Sequence, residues 1–305
     1  MTKFRSESLT LNTDTKIPFI GFGTYLIPSD EAAAAVRTAI DVGYRHIDTA
    51  EFYHNEESVG EGIRAALKDI SLSREDIFVT TKLWPGNPEW DMPAKTQEQT
   101  LVAARASLAR LGLDYVDLYL IHSPHGGAER LGQWKALLEL RNSKKARAIG
   151  VSNYNIAHLE EIRNAGLPMP DANQIELHPW SQKTELIAYM RAHQIAPIAY
   201  SSLAPLSTWR TAPDHHSAKT GEMRETDTTL TRIAVKHGVS EAQLLLRWGM
   251  QNGYPVLPKS TKRERMISNF DLDGFSLDEA DMAEIRGLDR GDGLAWTGGD
   301  PTRAV

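Results

Sequence analysis

The feature that most constrains this chain is a repeated beat of short apolar runs. Eight of them recur, at residues 18–23, 44–49, 76–83, 115–122, 146–152, 172–178, 196–202 and 254–260, and most end in a polar cluster. Runs this short and continuous, rich in Val, Ile and aromatic residues, suit strands buried on both faces. Segments of helical character lie between them. Residues 31–36 are Ala-rich and follow Ser29 and Asp30, which read as a cap. Residues 97–112 place Leu101, Ala104, Leu108 and Leu111 three and four apart, and residues 240–250 open on Ser240 as cap before Leu244-Leu245-Leu246. An intervening helix returns the chain so that successive strands run parallel. Eight such units predict a closed (β/α)8 TIM barrel with its chemistry at the C-terminal ends of the strands; an open doubly wound sheet is the alternative.

Ahead of the barrel, Leu9, Leu11 and Ile17, Phe19 flank the turn-forming Asn12-Thr13-Asp14, which predicts a β-hairpin that closes the barrel bottom. No low-complexity linker interrupts the chain, so residues 1–305 are expected to form a single barrel domain. The stretch 203–226, with Pro205, Pro213, His215-His216 and Gly221, reads as a long loop after the seventh run, of the kind that often serves as a lid. The Gly-rich tail after Gly291 is expected to fold over the barrel mouth.

Composition removes several classes of function. A net charge of -6 is wrong for a general nucleic-acid binder, which needs a strongly basic face. With no cysteine there is no disulfide, thiolate nucleophile or Cys-ligated metal. The charged segment Met1–Glu7 lacks the apolar centre of a signal peptide, and no apolar stretch is long enough to span a bilayer. A soluble, cytoplasmic monomer acting on a small molecule, with no nucleic-acid or membrane partner, is the expectation.

Local motifs narrow the chemistry further. Gly60-Glu61-Gly62-Ile63-Arg64-Ala65 matches the dinucleotide pattern G-x-G-x-x-A in letters only. It follows Asn55-Glu56-Glu57-Ser58-Val59, which reads as a helix start rather than a strand, so the glycines are expected to serve helix packing. Gly21-Phe22-Gly23-Thr24-Tyr25-Leu26 lacks the third glycine. His122, His125 and His215-His216 have no matching carboxylate frame, so no metal is expected. No G-x-S-x-G elbow is present to anchor serine hydrolysis.

One constellation remains. Asp48, Lys82 and His122 fall where the second, third and fourth runs end, with Tyr53 just beyond the second. Any one of them alone reads as a cap or surface group; four on adjacent strand ends read as a site. A phenol with a pKa of about 10 is a poor acid near neutrality. A neighbouring Lys82 ammonium would lower that value, and Asp48 would keep Lys82 charged when partly buried. His122 would orient the reacting oxygen. The set suits proton donation to an oxygen that gains negative charge, as when a carbonyl accepts hydride.

These residues sit in strings that resemble the aldo-keto reductase family. The strings are Gly43-Tyr44-Arg45-His46-Ile47-Asp48-Thr49-Ala50 with Tyr53 and Asn55-Glu56, Thr81-Lys82-Leu83-Trp84, Asp117-Leu118-Tyr119-Leu120-Ile121-His122, Ala148-Ile149-Gly150-Val151-Ser152-Asn153-Tyr154, Gln174-Ile175-Glu176-Leu177-His178-Pro179 and Leu257-Pro258-Lys259-Ser260. The resemblance runs from about residue 9 to residue 288 and implies a barrel with NADPH or NADP+ across its C-terminal mouth, reducing small carbonyl substrates. It implies Asp48, Tyr53, Lys82 and His122 as the catalytic tetrad, with Tyr53 as proton donor. It implies Ser152, Asn153 and Gln174 on the nicotinamide amide and Tyr200 stacked on the nicotinamide ring. Lys259, Ser260 and Arg265 match the adenosine 2′-phosphate site and Asn269 an adenine contact. Gly23, Thr24, Asp48, Ser201, Ser202, Leu203, Thr261 and Lys262 complete the implied cofactor contacts. Tyr25, Tyr53, Trp84, His122 and Ser123 are the implied substrate contacts.

Three positions depart from the family pattern. Ser123 stands where many relatives carry Trp after the histidine, Tyr25 replaces another frequent pocket Trp, and Ser201-Ser202-Leu203-Ala204-Pro205 alters the usual Ser-Pro-Leu-Gly. The small Ser123 is expected to open the substrate pocket. Two other readings of the barrel are a cofactor-sensing subunit without catalysis and a hydrolase or isomerase using Asp48 and His122 alone.

Overall fold

The computed structural model describes residues 7–69, 72–207, 227–291, 293, 295–296 and 299–304. Strands β1 (Ser8–Thr10) and β2 (Lys16–Pro18) form the expected antiparallel hairpin, with Leu9 opposite Ile17. Its turn holds Asp14 at φ 59°, a conformation that Asp tolerates better than most non-glycine residues.

Seven parallel strands follow in sequential order: β3 (Phe22–Gly23), β4 (His46–Asp48), β5 (Phe78–Leu83), β6 (Val116–Ile121), β7 (Ala146–Ser152), β8 (Ala172–Glu176) and β9 (Ala196–Tyr200). The eighth apolar run does not form a strand of its own. Val256 instead makes parallel bridges to both Ile20 and Ala199, and so links the first and last strands into a ring. Pro255 and Pro258 flank it; neither has an N–H to give a ladder, which limits this run to a bridge.

Helices α1 (Ser29–Val42), α2 (Glu56–Asp69), α3 (Gln97–Leu111), α4 (Arg130–Asn142), α5 (Ile156–Asn164), α6 (Thr184–Ala192), α7 (Thr229–His237), α8 (Glu241–Gln251), α9 (Arg263–Phe270) and α10 (Glu279–Arg286) accompany the strands. Thr96 and Ser240 cap α3 and α8, each in a reciprocal pair with the Gln three residues on. The expected cap of α1 is different: Pro28 is the N-cap, with no side-chain bond, and Ser29 and Asp30 lie inside the first turn. There Asp30 and Glu31 meet the positive end of the helix dipole. Gly60 and Gly62 lie within α2, as packing glycines. A Cβ at Gly60 would sit 2.1 Å from the Leu111 carbonyl oxygen and one at Gly62 2.6 Å from that of Ala33, so both let neighbouring helices approach.

The larger apolar core lies between strands and helices. A second core fills the barrel itself: Leu118, Leu120, Ala148, Ile198 and Leu257 pack with Leu11 and Ile17 of the hairpin, which plugs the N-terminal end. Asp48, Lys82 and His122 lie at the other end, where the strands finish. Residues 208–226, most of the expected long loop, lie outside the described residues. The tail does cross the mouth: the Ala295 amide donates to Glu176 Oε2 (2.8 Å), Asn155 Nδ2 donates to the Thr302 carbonyl (2.8 Å), and Lys183 pairs with Asp300. No helix among the described residues is long and apolar enough to cross a membrane.

Candidate active site

Parallel pairing sets β4 beside β5 and β5 beside β6, so their C-terminal ends present Asp48, Lys82 and His122 side by side. Lys82 is fully buried. Its Nζ donates to Asp48 Oδ1 at 2.6 Å and to the Thr49 carbonyl at 2.9 Å, and reaches Tyr53 Oη at 3.4 Å. Tyr53 stands on a 3-10 turn, Glu51–Tyr53. Asn55 anchors the chain beyond it: Asn55 Nδ2 donates to the Thr24 and Ile27 carbonyls, both at 3.0 Å, while Thr49 Oγ1 donates to Asn55 Oδ1 at 2.9 Å. The His122 ring meets the Tyr53 ring edge-on, centroids 5.4 Å apart, and His122 Nδ1 has no partner among the described residues. The four groups that the sequence singles out thus converge.

Their electrostatics follow from burial. Burial lowers Lys82 from the usual lysine value, with Asp48 the main opposing influence. Burial also holds His122 well below the usual histidine value, aided by the charge of Lys82 and by His125, so the imidazole is neutral at pH 7. Tyr53 departs from expectation. Its phenol is pushed well above 10, by burial first and by Asp48 and Tyr25 second. The reason is that the Asp48 carboxylate sits 2.6 Å from the ammonium and offsets its charge as felt by the phenol, which leaves desolvation dominant. A phenol of this kind keeps its proton until a strong base appears beside it.

Residues expected at a nicotinamide are joined to this set. Gln174 Nε2 donates to Asp48 Oδ2 (2.8 Å), Ser152 Oγ to the Gln174 carbonyl (2.7 Å) and Asn153 Nδ2 to the His122 carbonyl (3.0 Å). Tyr200 Oη donates to Asn153 Oδ1 at 2.7 Å. Thr24 Oγ1 is committed to the Asp48 carbonyl, and Gly23 packs so closely that a Cβ would lie 2.9 Å from the Leu257 carbonyl oxygen. Beyond β9, Ser201 is left-handed at φ 53°, Leu203 is half-buried, and Ser202 is buried with its hydroxyl lacking a partner among the described residues.

A second polar cluster surrounds the start of α9. Ser260 Oγ accepts from the Lys262 amide (3.0 Å), Thr261, Lys262 and Arg265 are exposed, and Asn269 is buried. Burial lowers Lys259, and the charge acting on it is another cation, Arg265, rather than a carboxylate. Two cations near enough to feel one another's charge, beside the polar Ser260 and Asn269, suit a dianion.

Of the residues expected at the substrate, Tyr25 is exposed with its ring 5.1 Å from Tyr53, and Trp84 is buried and stacked 4.2 Å from Phe52. Ser123 is fully buried, and its Oγ lies 2.8 Å from His125 Nδ1. Trp90 and Trp296, which sequence reasoning left out, and His125, which it weighed only as a metal ligand, join this wall. The available signal was three large aromatic or imidazole rings outside the strands and α-helices, two of them on short 3-10 turns, where burial has no long period to reveal.

A closed parallel barrel with its reactive side chains on adjacent strand ends has the architecture of a barrel enzyme. Residues 20–290 match the Aldo/keto reductase family, and the chain belongs to that family. It is 40% identical over 294 residues to a 9,11-endoperoxide prostaglandin H2 reductase of Trypanosoma cruzi, covering 96% of this chain and 94% of the relative. It is also 40% identical to a morphine 6-dehydrogenase of Pseudomonas putida, over 94% of this chain and 93% of the relative. Among solved structures, an aldo-keto reductase of Bombyx mori in complex with NADP superposes with a TM-score of 0.83 at 33% identity, covering 94% of each chain.

Proposed function

We propose that the protein is an NADP(H)-dependent carbonyl reductase of the alcohol dehydrogenase (NADP+) type, with Tyr53 as the proton donor. The observation that carries the reading is the Lys82 ammonium, fully buried and shared among Asp48, the Thr49 carbonyl and Tyr53 Oη. Such a charge is costly to bury and is retained where it acts. The residues present fit the cofactor. Asn153 and Gln174 offer the paired donor and acceptor that a carboxamide needs, the Ser202 hydroxyl has no partner among the described residues, and Lys259 with Arg265 suits a 2′-phosphate. When bound, NADPH supplies hydride. The names of the relatives, among them a glyoxal reductase and a glycerol 2-dehydrogenase (NADP(+)), fit the same class of reaction.

The protein's own groups do the rest. Tyr53 holds its proton at neutral pH and gives it to the oxygen that turns alkoxide, a far stronger base than a phenolate. Lys82 stabilises the phenolate left behind, Asp48 keeps Lys82 in place, and the neutral His122 orients the carbonyl oxygen. The test is NADPH consumption at 340 nm with an aromatic aldehyde. Tyr53→Phe removes the donor and little volume, so kcat should fall about 10²–10⁴-fold. A variant with near-normal kcat would sink the assignment of the donor, and wild-type protein that consumes no NADPH would sink the reductase reading.

A further inference from the structure

The tail delivers one large side chain to the mouth. The Trp296 indole lies 6.5 Å from the Trp84 ring at an interplanar angle of 16°, 6.4 Å from Trp90, and 6.1 Å from both His122 and His125. Trp84 stacks in turn on Trp90 at 5.7 Å. Trp296 is half-buried and takes no part in either apolar core, so its ring packs against the site and not against the barrel's supporting layers. Its neighbour His125 is held by Ser123, whose own side chain is too small to make a wall.

The indole also has a polar task. Trp296 Nε1 donates to Tyr200 Oη at 2.9 Å, Tyr200 Oη donates to Asn153 Oδ1 at 2.7 Å, and Asn153 Nδ2 donates to the His122 carbonyl at 3.0 Å. A phenolic hydroxyl has one proton. Because it accepts from an indole, which can only donate, that proton is directed to Asn153, and the amide orientation of Asn153 is set as a consequence.

Resting on the reductase reading above, we propose that Trp296 determines specificity. Its ring selects flat, uncharged aromatic or conjugated carbonyls, and its N–H positions Tyr200 and Asn153. The wall offers ring faces, which reward a planar substrate by stacking. Hydroxyl groups laid against those faces lose water and gain no partner. The cations close by are already engaged: Lys82 is on Asp48, and Lys95 Nζ donates to the Trp84 carbonyl (2.5 Å) with Glu51 at 3.4 Å. Among the described residues, neither is left to hold a substrate carboxylate.

The experiment compares kcat/KM for 4-nitrobenzaldehyde, glyceraldehyde and succinic semialdehyde in wild type, Trp296→Leu and Trp296→Phe, with thermal melts to show that each is folded. Wild type should favour the aromatic aldehyde over both others. Trp296→Leu keeps apolar bulk without a ring, and should cut that preference at least about tenfold, the loss expected of one good stacking contact. Trp296→Phe keeps a ring without the donor. It should retain most of the preference and raise KM for NADPH about threefold, a split that a merely structural residue would not show. An unchanged ratio in Trp296→Leu overturns the inference while leaving the reductase reading intact. A wild type that turns over none of the three aldehydes overturns both.

Discussion

The two ends of the barrel each bury an acid against cations, and they use it differently. At the N-terminal end Asp117, in β6, accepts from the Val79 amide (2.9 Å), Arg74 (2.8 Å) and Arg147 (3.2 Å), and the two guanidiniums each lie over the Tyr115 ring, at 4.3 and 4.6 Å. At the C-terminal end Asp48 holds Lys82 and Gln174. Around Asp117 both carboxylate oxygens are saturated by donors of the scaffold itself, although Arg74 Nε has no hydrogen-bond partner among the described residues. Around Asp48 the ammonium's third contact, to Tyr53, is long at 3.4 Å, and the neighbouring His122 Nδ1 has no partner among the described residues. The first pair is a fastener, its carboxylate saturated by scaffold donors; the second is a reactive site, its cation reaching on toward a phenolic oxygen.

The largest expected effect sets the two ends against each other. Lys82→Met should lower kcat at least about 10²-fold, because the phenolate then forms in an apolar site with no counter-charge. Asp117→Asn should leave kcat within about twofold and lower unfolding stability by about 1–3 kcal/mol, the range for leaving buried donors unsatisfied beside partly exposed cations. Steady-state rates and urea melts measure both. If Asp117→Asn lost activity as Lys82→Met does, the division between fastener and site would collapse.

A smaller effect sharpens the contrast within the mouth. Among the described residues, Lys259 and Arg265 have no salt-bridge carboxylate of the kind that Arg74 has. Arg265→Ala should weaken NADPH at least about tenfold and leave NADH nearly unchanged, since a charge-assisted bond to the extra phosphate is worth about 1.5–3 kcal/mol. Titration against tryptophan fluorescence yields both constants. Equal losses would move Arg265 away from the 2′-phosphate.

The contrast also explains what could be read from the chain. Buried parallel strands write continuous apolar runs, so the barrel was legible, and the strand-end residues Asp48, Lys82 and His122 were legible through it. The eighth run misleads because apolarity does not report that Pro255 and Pro258 lack N–H groups. The cap of α1 misleads because Pro28 takes the position one residue before Ser29. Trp90 and Trp296 escape because their meeting joins a loop after β5 to the tail, and no local period encodes a contact of that separation. The rise of the Tyr53 phenol escapes because it is set by burial, which only the folded site possesses.

The smallest expected effect is near zero, and its smallness is informative. The His122 imidazole is held well below the usual histidine value by burial, with Lys82 and His125 adding, so it stays neutral as pH falls through the range where a free histidine gains charge. Tyr53, pushed upward, keeps its proton over the same range. Reductive kcat/KM should therefore stay constant within about twofold between about pH 5.5 and 7.5. Stability should not be constant. His46 is lowered to about 3 and His158 to about 4, in each case mainly by burial. A group whose folded pKa lies below its unfolded value takes up more protons in the unfolded chain. Stability from these histidines is thus full above about pH 6.5, the unfolded value, and declines as pH falls toward their folded values. Melting temperature should drop across the window in which the rate is flat. A rate profile with an inflection near 6.5 would show that His122 titrates in the working enzyme, and the mouth would then hold a charge that the folded arrangement of Lys82, His125 and Tyr53 excludes.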